Sequence, residues 1–215
     1  IPELRNTILS YPIANTELYK QSKGDLENCH SAFIQLKNLF ACLNNFESQY
    51  YTPRNFASNF DDEKLDVSEQ MDADEFYGKL IDKLEGFVKD DPEYKNMFKY
   101  FFGGYNVDEL LFKDCGHKRE NQFFFNSIQL QVAGKHNLDE SLASYVKGEM
   151  MEGDNSIFCE ECKKKVPALK RQTIKFLPRK LVFVLKRFEF DYDTMLKFKV
   201  NDYFNFPMEL DMYRY

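Results

Sequence analysis

Tryptophan is missing altogether, and the aromatic content rests on 22 phenylalanines and 13 tyrosines. Low-complexity tracts and internal repeats are also absent, which excludes repeat arrays and leaves a globular chain. No apolar run approaches the ~20 residues of a membrane-spanning helix, so the sequence predicts no membrane association. Positive charge is in deficit: 29 Lys and Arg face 35 Asp and Glu, for a net charge of -6. Broad nucleic-acid affinity needs clustered cations that displace counterions from phosphates, so nucleic acid is excluded and a partner with a basic patch fits better. Only five cysteines are present, too few and too scattered for the even disulfide framework of a small secreted protein. A reducing, intracellular compartment, cytoplasmic or nuclear, follows. The chain opens Ile1-Pro2-Glu3-Leu4 with no cationic segment leading into an apolar stretch, so no signal peptide is read there. Both ends look like cut edges, and the expectation is an internal fragment.

What is present suffices for a core, since 43% of the 215 residues are hydrophobic. Two short stretches carry most of the chemistry. Cys159-Glu-Glu-Cys162 has the C-x-x-C spacing with which a tight turn aims two thiolates at one tetrahedral ion. Cys115-Gly-His117 supplies a third thiolate and a nearby imidazole. Cys115, Cys159 and Cys162 are therefore the candidate ligands of a structural zinc, and His117 is available as a fourth. Phe112 stands three residues before Cys115, where a matching knuckle would carry a cysteine. Two readings stand side by side: a three-thiolate site completed by His117 or water, and a metal-free tip in which Phe112 is an apolar plug.

The first hundred residues read helical. Asp25 can cap a helix whose apolar positions are Phe33, Leu36, Phe40, Leu43 and Phe46. A short helical stretch follows Pro53, and Ser68 can cap a longer helix to about Val88 with core residues Phe76, Leu80, Leu84 and Phe87. From Gly103-Gly104 the period changes to that of strands, over Phe123 to Val132, Leu169 to Phe176 and Leu181 to Phe190. One helix interrupts them, from Asn137 or Asp139 to Lys147, stopped by Gly148. The two cysteine elements fall at the tips of separate hairpins. Cys42 and Cys29 read as ordinary thiols: no base lies one turn from Cys42, and the adjacent His30 points away from Cys29 on a helix.

Gln70-Met71-Asp72-Ala73-Asp74-Glu75-Phe76 resembles the Gln-x-Asp-Ala-x-Glu-Phe box of the ubiquitin-specific proteases, and further elements follow in that family's order. Phe101-Phe102-Gly103-Gly104 resembles the entry to its fingers, and the cysteine elements its zinc-binding finger tips. Leu181 to Phe190 resembles its palm strand with the Leu-Lys-Arg-Phe signature, and Lys199 to Pro207 the segment after it. Within the family the chain resembles the large fat-facets-type members through Ser144 to Glu149 and Asn201 to Phe204.

The resemblance implies a papain-like α+β fold, incomplete at both ends: a helical thumb over 1–100, fingers over 101–180 and palm over 181–215. It implies hydrolysis of the isopeptide bond after ubiquitin's terminal glycine by a cysteine peptidase, with ubiquitin and ubiquitinated proteins as partners. The Cys and His boxes of the family would lie before Ile1 and after Tyr215, so this chain alone is expected to be inactive; His136, in a polar stretch, does not replace the missing base. Gln70, Asp72, Glu75 and Phe188 become candidate ubiquitin contacts, the two carboxylates sharing one helical face and receiving a basic tail. Acidic residues in a first turn also simply complement the helix dipole, and Phe188 also suits a core. The alternative function is a non-catalytic ubiquitin-binding or zinc-finger scaffold.

Overall fold

The computed structural model describes residues 2–13, 31–45, 51–60 and 71–215. They form two compact units, Ile1–Phe98 and Lys99–Tyr215. Helices make up the first and antiparallel strands dominate the second, an α+β architecture as expected. No described helix is long and apolar enough to cross a membrane.

The first unit contains α1 (Pro2–Ser10), α2 (Ala32–Asn45), α3 (Arg54–Ser58) and α4 (Ala73–Val88). Aromatic rings hold it together. Tyr11 meets Phe33, Phe87 and Tyr94 edge-on at centroid distances of 5.1, 5.8 and 4.8 Å, and Phe33 stacks on Phe87 at 4.6 Å. Such pairs add about 0.5–1.5 kcal/mol beyond their burial. Helix α4 is capped by Asp72, whose Oδ1 accepts from the Asp74 and Glu75 amides. The cap expected at Ser68 thus moves to Asp72; Ser68, like Asp25, Phe46 and Cys29, lies outside the described residues. Ile81, Leu84 and Val88 are the buried residues of α4, while Phe76, Leu80 and Phe87 are half-buried. On α2 the expected core residue Leu43 is 58% exposed, because burial concentrates in the first turn at Ala32, Phe33 and Ile34.

A short helix, α5 (Met97–Phe102), leads into the second unit, built from β1 (Gly104–Phe112), β2 (Lys118–Phe125), β3 (Ile128–Gln131), α6 (Leu138–Val146), β4 (Glu149–Met151), β5 (Ile157–Cys159), β6 (Lys164–Val166), β7 (Ala168–Phe176), β8 (Phe183–Lys186), β9 (Phe188–Asp191) and β10 (Leu196–Lys199). Strands β2, β1, β7 and β4 form one antiparallel sheet in that order. The single run expected from Phe123 to Val132 breaks after Phe125. Up to there the chain pairs with β1; from Ile128 it pairs in parallel with β8.

Alternation in β3 sends Ile128 and Leu130 inward and Gln129 and Gln131 outward. The inward pair joins Phe125, Val132, Leu138, Leu142, Val200 and Phe204 in the main core of this unit. Helix α6 seals that core. Asn137 Oδ1 accepts from the Glu140 amide, Glu140 Oε2 accepts from the His136 amide, and Ser141 Oγ donates to the Gln131 carbonyl at 2.6 Å. The first two bonds cap the helix start reciprocally, a variant of the capping box in which Glu140 reaches the amide one residue before the Asn137 cap. The chain leaves the helix through Gly148 at φ +77°, where an added Cβ would lie 2.6 Å from the Arg171 Cβ. Only glycine fits both demands.

Candidate metal centre

Strands β1 and β7 run from the main core to a second, smaller one. At that far end Phe112, Cys159, Val166 and Ala168 are buried together, with Cys115 and Cys162 packed against them. Two turns meet there. The β1–β2 turn carries Cys115 and His117 on either side of Gly116, whose φ of +71° reverses the chain between the two donors. Its closure is backbone-made: the Phe112 amide donates to the His117 carbonyl at 3.0 Å, and the Gly116 amide donates back to the Phe112 carbonyl at 2.9 Å. The β5–β6 hairpin carries Cys159 and Cys162, and Lys163 after them takes the left-handed conformation at φ 55°. Both cysteine elements therefore sit at hairpin tips, as the sequence suggested.

The donor atoms of Cys115, His117, Cys159 and Cys162 all lie within 4.8 Å of one another. Cys115 Sγ is 3.9 Å from Cys159 Sγ, and His117 Nδ1 is 3.4 Å from Cys159 Sγ and 3.3 Å from Cys162 Sγ. Ligand atoms around one tetrahedral ion, with metal–sulfur and metal–nitrogen lengths of about 2.3 and 2.0–2.1 Å, stand about 3.5–3.8 Å apart. The four residues thus fit a metal ion. His117 stands with the three thiols where Phe112 offers no donor, and Phe112 is buried in the same apolar cluster as Cys159. The three-cysteine set is complete as a group, and the imidazole, which its spacing of two from Cys115 made only a candidate, is the fourth member.

Electrostatics favour a cation. The Cys162 amide, then the His117 ring, hold the Cys159 thiol down at about 7. The neighbouring Cys115 and Cys159 sulfurs push Cys162 up to about 11. Crowded thiols resist ionising together until a cation offsets their charge. On the other ring edge, His117 Nε2 is 3.1 Å from Glu161 Oε2.

The remaining candidates lie elsewhere. Gln70 is outside the described residues. Asp72 and Glu75 are exposed at the start of α4, Asp72 as its cap and Glu75 paired with Lys79 at 2.7 Å. Phe188 is 66% exposed on β9, with Lys199 Nζ 6.0 Å from its ring centre, so it is not a core residue of the described structure. Next to it Arg187 Nη1 donates to the Val200 and Asp202 carbonyls, both at 3.1 Å, anchoring the following segment. Cys42 is half-buried on α2, 3.8 Å from Asn38 Oδ1. His136 lies in the loop before α6, as expected.

An α+β chain with three thiols and one imidazole gathered at paired hairpin tips defines a metal-competent finger. Comparison with known proteins gives the family: the ubiquitin carboxyl-terminal hydrolase model matches residues 1–215, and the chain belongs to that family of ubiquitin-specific thiol peptidases. It is 38% identical over 179 residues to ubiquitin carboxyl-terminal hydrolase 9Y of Homo sapiens, covering 82% of this chain and 7% of that protein. Identity is 35% over 217 residues to human ubiquitin carboxyl-terminal hydrolase 34, covering 100% of this chain and 6% of the relative. A probable ubiquitin carboxyl-terminal hydrolase FAF of Drosophila melanogaster is 33% identical over 215 residues, covering 98% and 8%. The chain thus spans less than a tenth of the length of these relatives.

Proposed function

We propose that this chain is the central, ubiquitin-recognising part of a deubiquitinating cysteine peptidase domain, and that its finger tip holds a structural zinc. The observation that carries the reading is the family match over all 215 residues. Three sulfurs and one nitrogen at tetrahedral spacing suit zinc better than the oxygen-seeking cations, and four protein ligands leave no open position for chemistry on the metal. The zinc would fasten the β1–β2 turn to the β5–β6 hairpin and supply folding energy there. Cys115, His117, Cys159 and Cys162 would hold it.

The reaction of the whole protein is hydrolysis of the isopeptide bond after ubiquitin's terminal glycine. The nucleophile and its base belong to parts of the protein outside these 215 residues. Three of the five cysteines are drawn into the donor cluster, and among the described residues Cys42 lies beside the Asn38 amide, which is not a base. A ubiquitin probe with an electrophilic terminus is therefore expected to leave the chain unlabelled, and labelling at Cys29 or Cys42 would overturn this division of roles.

Gln70, Asp72, Glu75 and Phe188 are the residues assigned to ubiquitin, with the carboxylates of Asp72 and Glu75 meeting cationic groups of its tail. Capping and the Lys79 pair are their local roles, worth about 0.3–1 kcal/mol. Replacing both with the amides, Asp72→Asn and Glu75→Gln, in the full-length protein separates the two roles. Loss of tail contacts lowers ubiquitin affinity by about 1.5–3 kcal/mol per charged hydrogen bond. Calorimetric titration in which the double variant binds ubiquitin as the parent does would remove these residues from the assignment.

A further inference from the structure

The two ring nitrogens of His117 face different partners. Nδ1 points to the sulfurs of Cys159 and Cys162 at 3.4 and 3.3 Å, and Nε2 points to Glu161 Oε2 at 3.1 Å. A neutral imidazole carries one proton, and only the bare nitrogen can ligate. A carboxylate at Nε2 selects the tautomer with its proton there, leaves the Nδ1 lone pair toward the thiols, and fixes the ring plane. We infer that Glu161 is the positioning residue of the metal centre: it holds His117 as an Nδ1 ligand. This inference rests on the zinc reading given above.

The origin of Glu161 has a mechanical consequence. It belongs to Cys159-Glu160-Glu161-Cys162, so the β5–β6 turn contributes two sulfur ligands and also orients the imidazole contributed by the β1–β2 turn. Metal, His117 and Glu161 then form one linkage between the two turns. Glu160 supplies an internal control. It carries the same charge one residue away, but its side chain goes to Arg119 at 3.8 Å rather than to a ligand.

The His117 and Glu161 side chains are 37% and 68% exposed. An ion pair that exposed, acting by charge alone, shifts an equilibrium by roughly a few-fold at most. Orientation of a ligand acts more strongly, about 10–100-fold in metal affinity when the outer partner is removed.

The test is competition for zinc between a chromogenic chelator and the full chain. Glu161→Ala is expected to weaken zinc affinity about 10–100-fold. Glu161→Gln, whose amide oxygen still accepts from Nε2, should recover most of the loss, and Glu160→Ala should stay within about two-fold of the parent. The proposal is overturned if Glu161→Ala binds like the parent, or if Glu160→Ala loses as much, which would make the effect one of net charge. A second measurement needs no variant: nitrogen-15 chemical shifts of His117 in the zinc-loaded parent should place the proton on Nε2 and the metal on Nδ1. The reverse assignment overturns the inference while leaving the zinc reading intact, whereas a parent that takes up no zinc removes both.

Discussion

The two ends of strand β1 are stabilised by different means. At the Gly104 end, eight buried residues from β2, β3 and the Val132 that follows it, α6 and the segment after β10 make a continuous apolar core, each large side chain contributing about 1.5–3 kcal/mol by burial. At the Phe112 end, four residues are buried, and one of them is the thiol of Cys159. Apolar burial suffices for the first and is thin at the second. On the zinc reading proposed above the donor cluster has a purpose: where the sheet narrows to two turns and runs out of hydrophobic surface, a metal bound by cross-turn ligands would take the place of the missing core.

The sharpest break of that comparison is Cys159→Ser. Structural zinc contributes about 10–16 kcal/mol in small fingers, or about 2.5–4 per ligand, so losing one thiolate is expected to weaken zinc binding by about two to three orders of magnitude. Hydrogen exchange should then speed up at Phe112, Gly116 and Val166 while Leu130 stays protected. Equal loss at both ends would mean that the tip has no separate stabilisation. Leu142→Ala strikes the other end. Leu142 is fully buried, and the substitution should cost about 2–5 kcal/mol in chemical denaturation, destabilising the whole second unit without changing the ligand set.

Midway along β1, Glu109 sharpens the comparison with a smaller effect. Its buried carboxylate lies 2.6 Å from Arg171 Nε and 2.9 Å from Lys118 Nζ, and Lys118 also pairs with Glu120, two residues along on its own strand β2. The hydrogen bond from Lys118, followed by that from Arg171, holds the Glu109 carboxyl below its ordinary range against the cost of burial. Glu109→Gln should therefore cost about 1.5–3 kcal/mol near neutral pH. Because the folded-state value is lowered, the contribution is full above the ordinary carboxylate range and disappears as pH falls through the lowered value. The gap between parent and variant should start to narrow as pH falls below about 4.3 and close only once pH is below the lowered folded-state value. A gap that persists in acid would assign the effect to shape rather than charge.

Much of this was legible in the sequence where the signal is local. Asn137 and Gly148 bracket α6 because a cap and a left-handed stop each act within one turn of chain. Cys159 and Cys162 announced their turn by spacing alone. What escaped depends on partners distant in sequence. The break between β2 and β3 follows from a change of neighbour, from β1 to β8, which alternation of side chains does not record. Leu43 fits a helical stripe yet is exposed, since a stripe says nothing of where the neighbouring element ends. His117 was a candidate by proximity to Cys115, but its place as the fourth member of the cluster needs the 3.3–3.4 Å approach of sulfurs more than forty residues away. Glu161 gave no signal at all, because its partner belongs to the other turn.

Whether the four-residue tip is a zinc centre is read from its metal content. After exhaustive treatment with a chelating resin and reloading with one equivalent of zinc, the parent should retain about one zinc per chain, while Cys159→Ser should surrender its zinc to a competing chelator at concentrations about two to three orders of magnitude lower. Hydrogen exchange on the same samples should show protection at Phe112 and Val166 only with the metal. A parent that holds no zinc and keeps those amides equally protected would rule out a zinc centre and leave Phe112 and its apolar neighbours to hold the tip together.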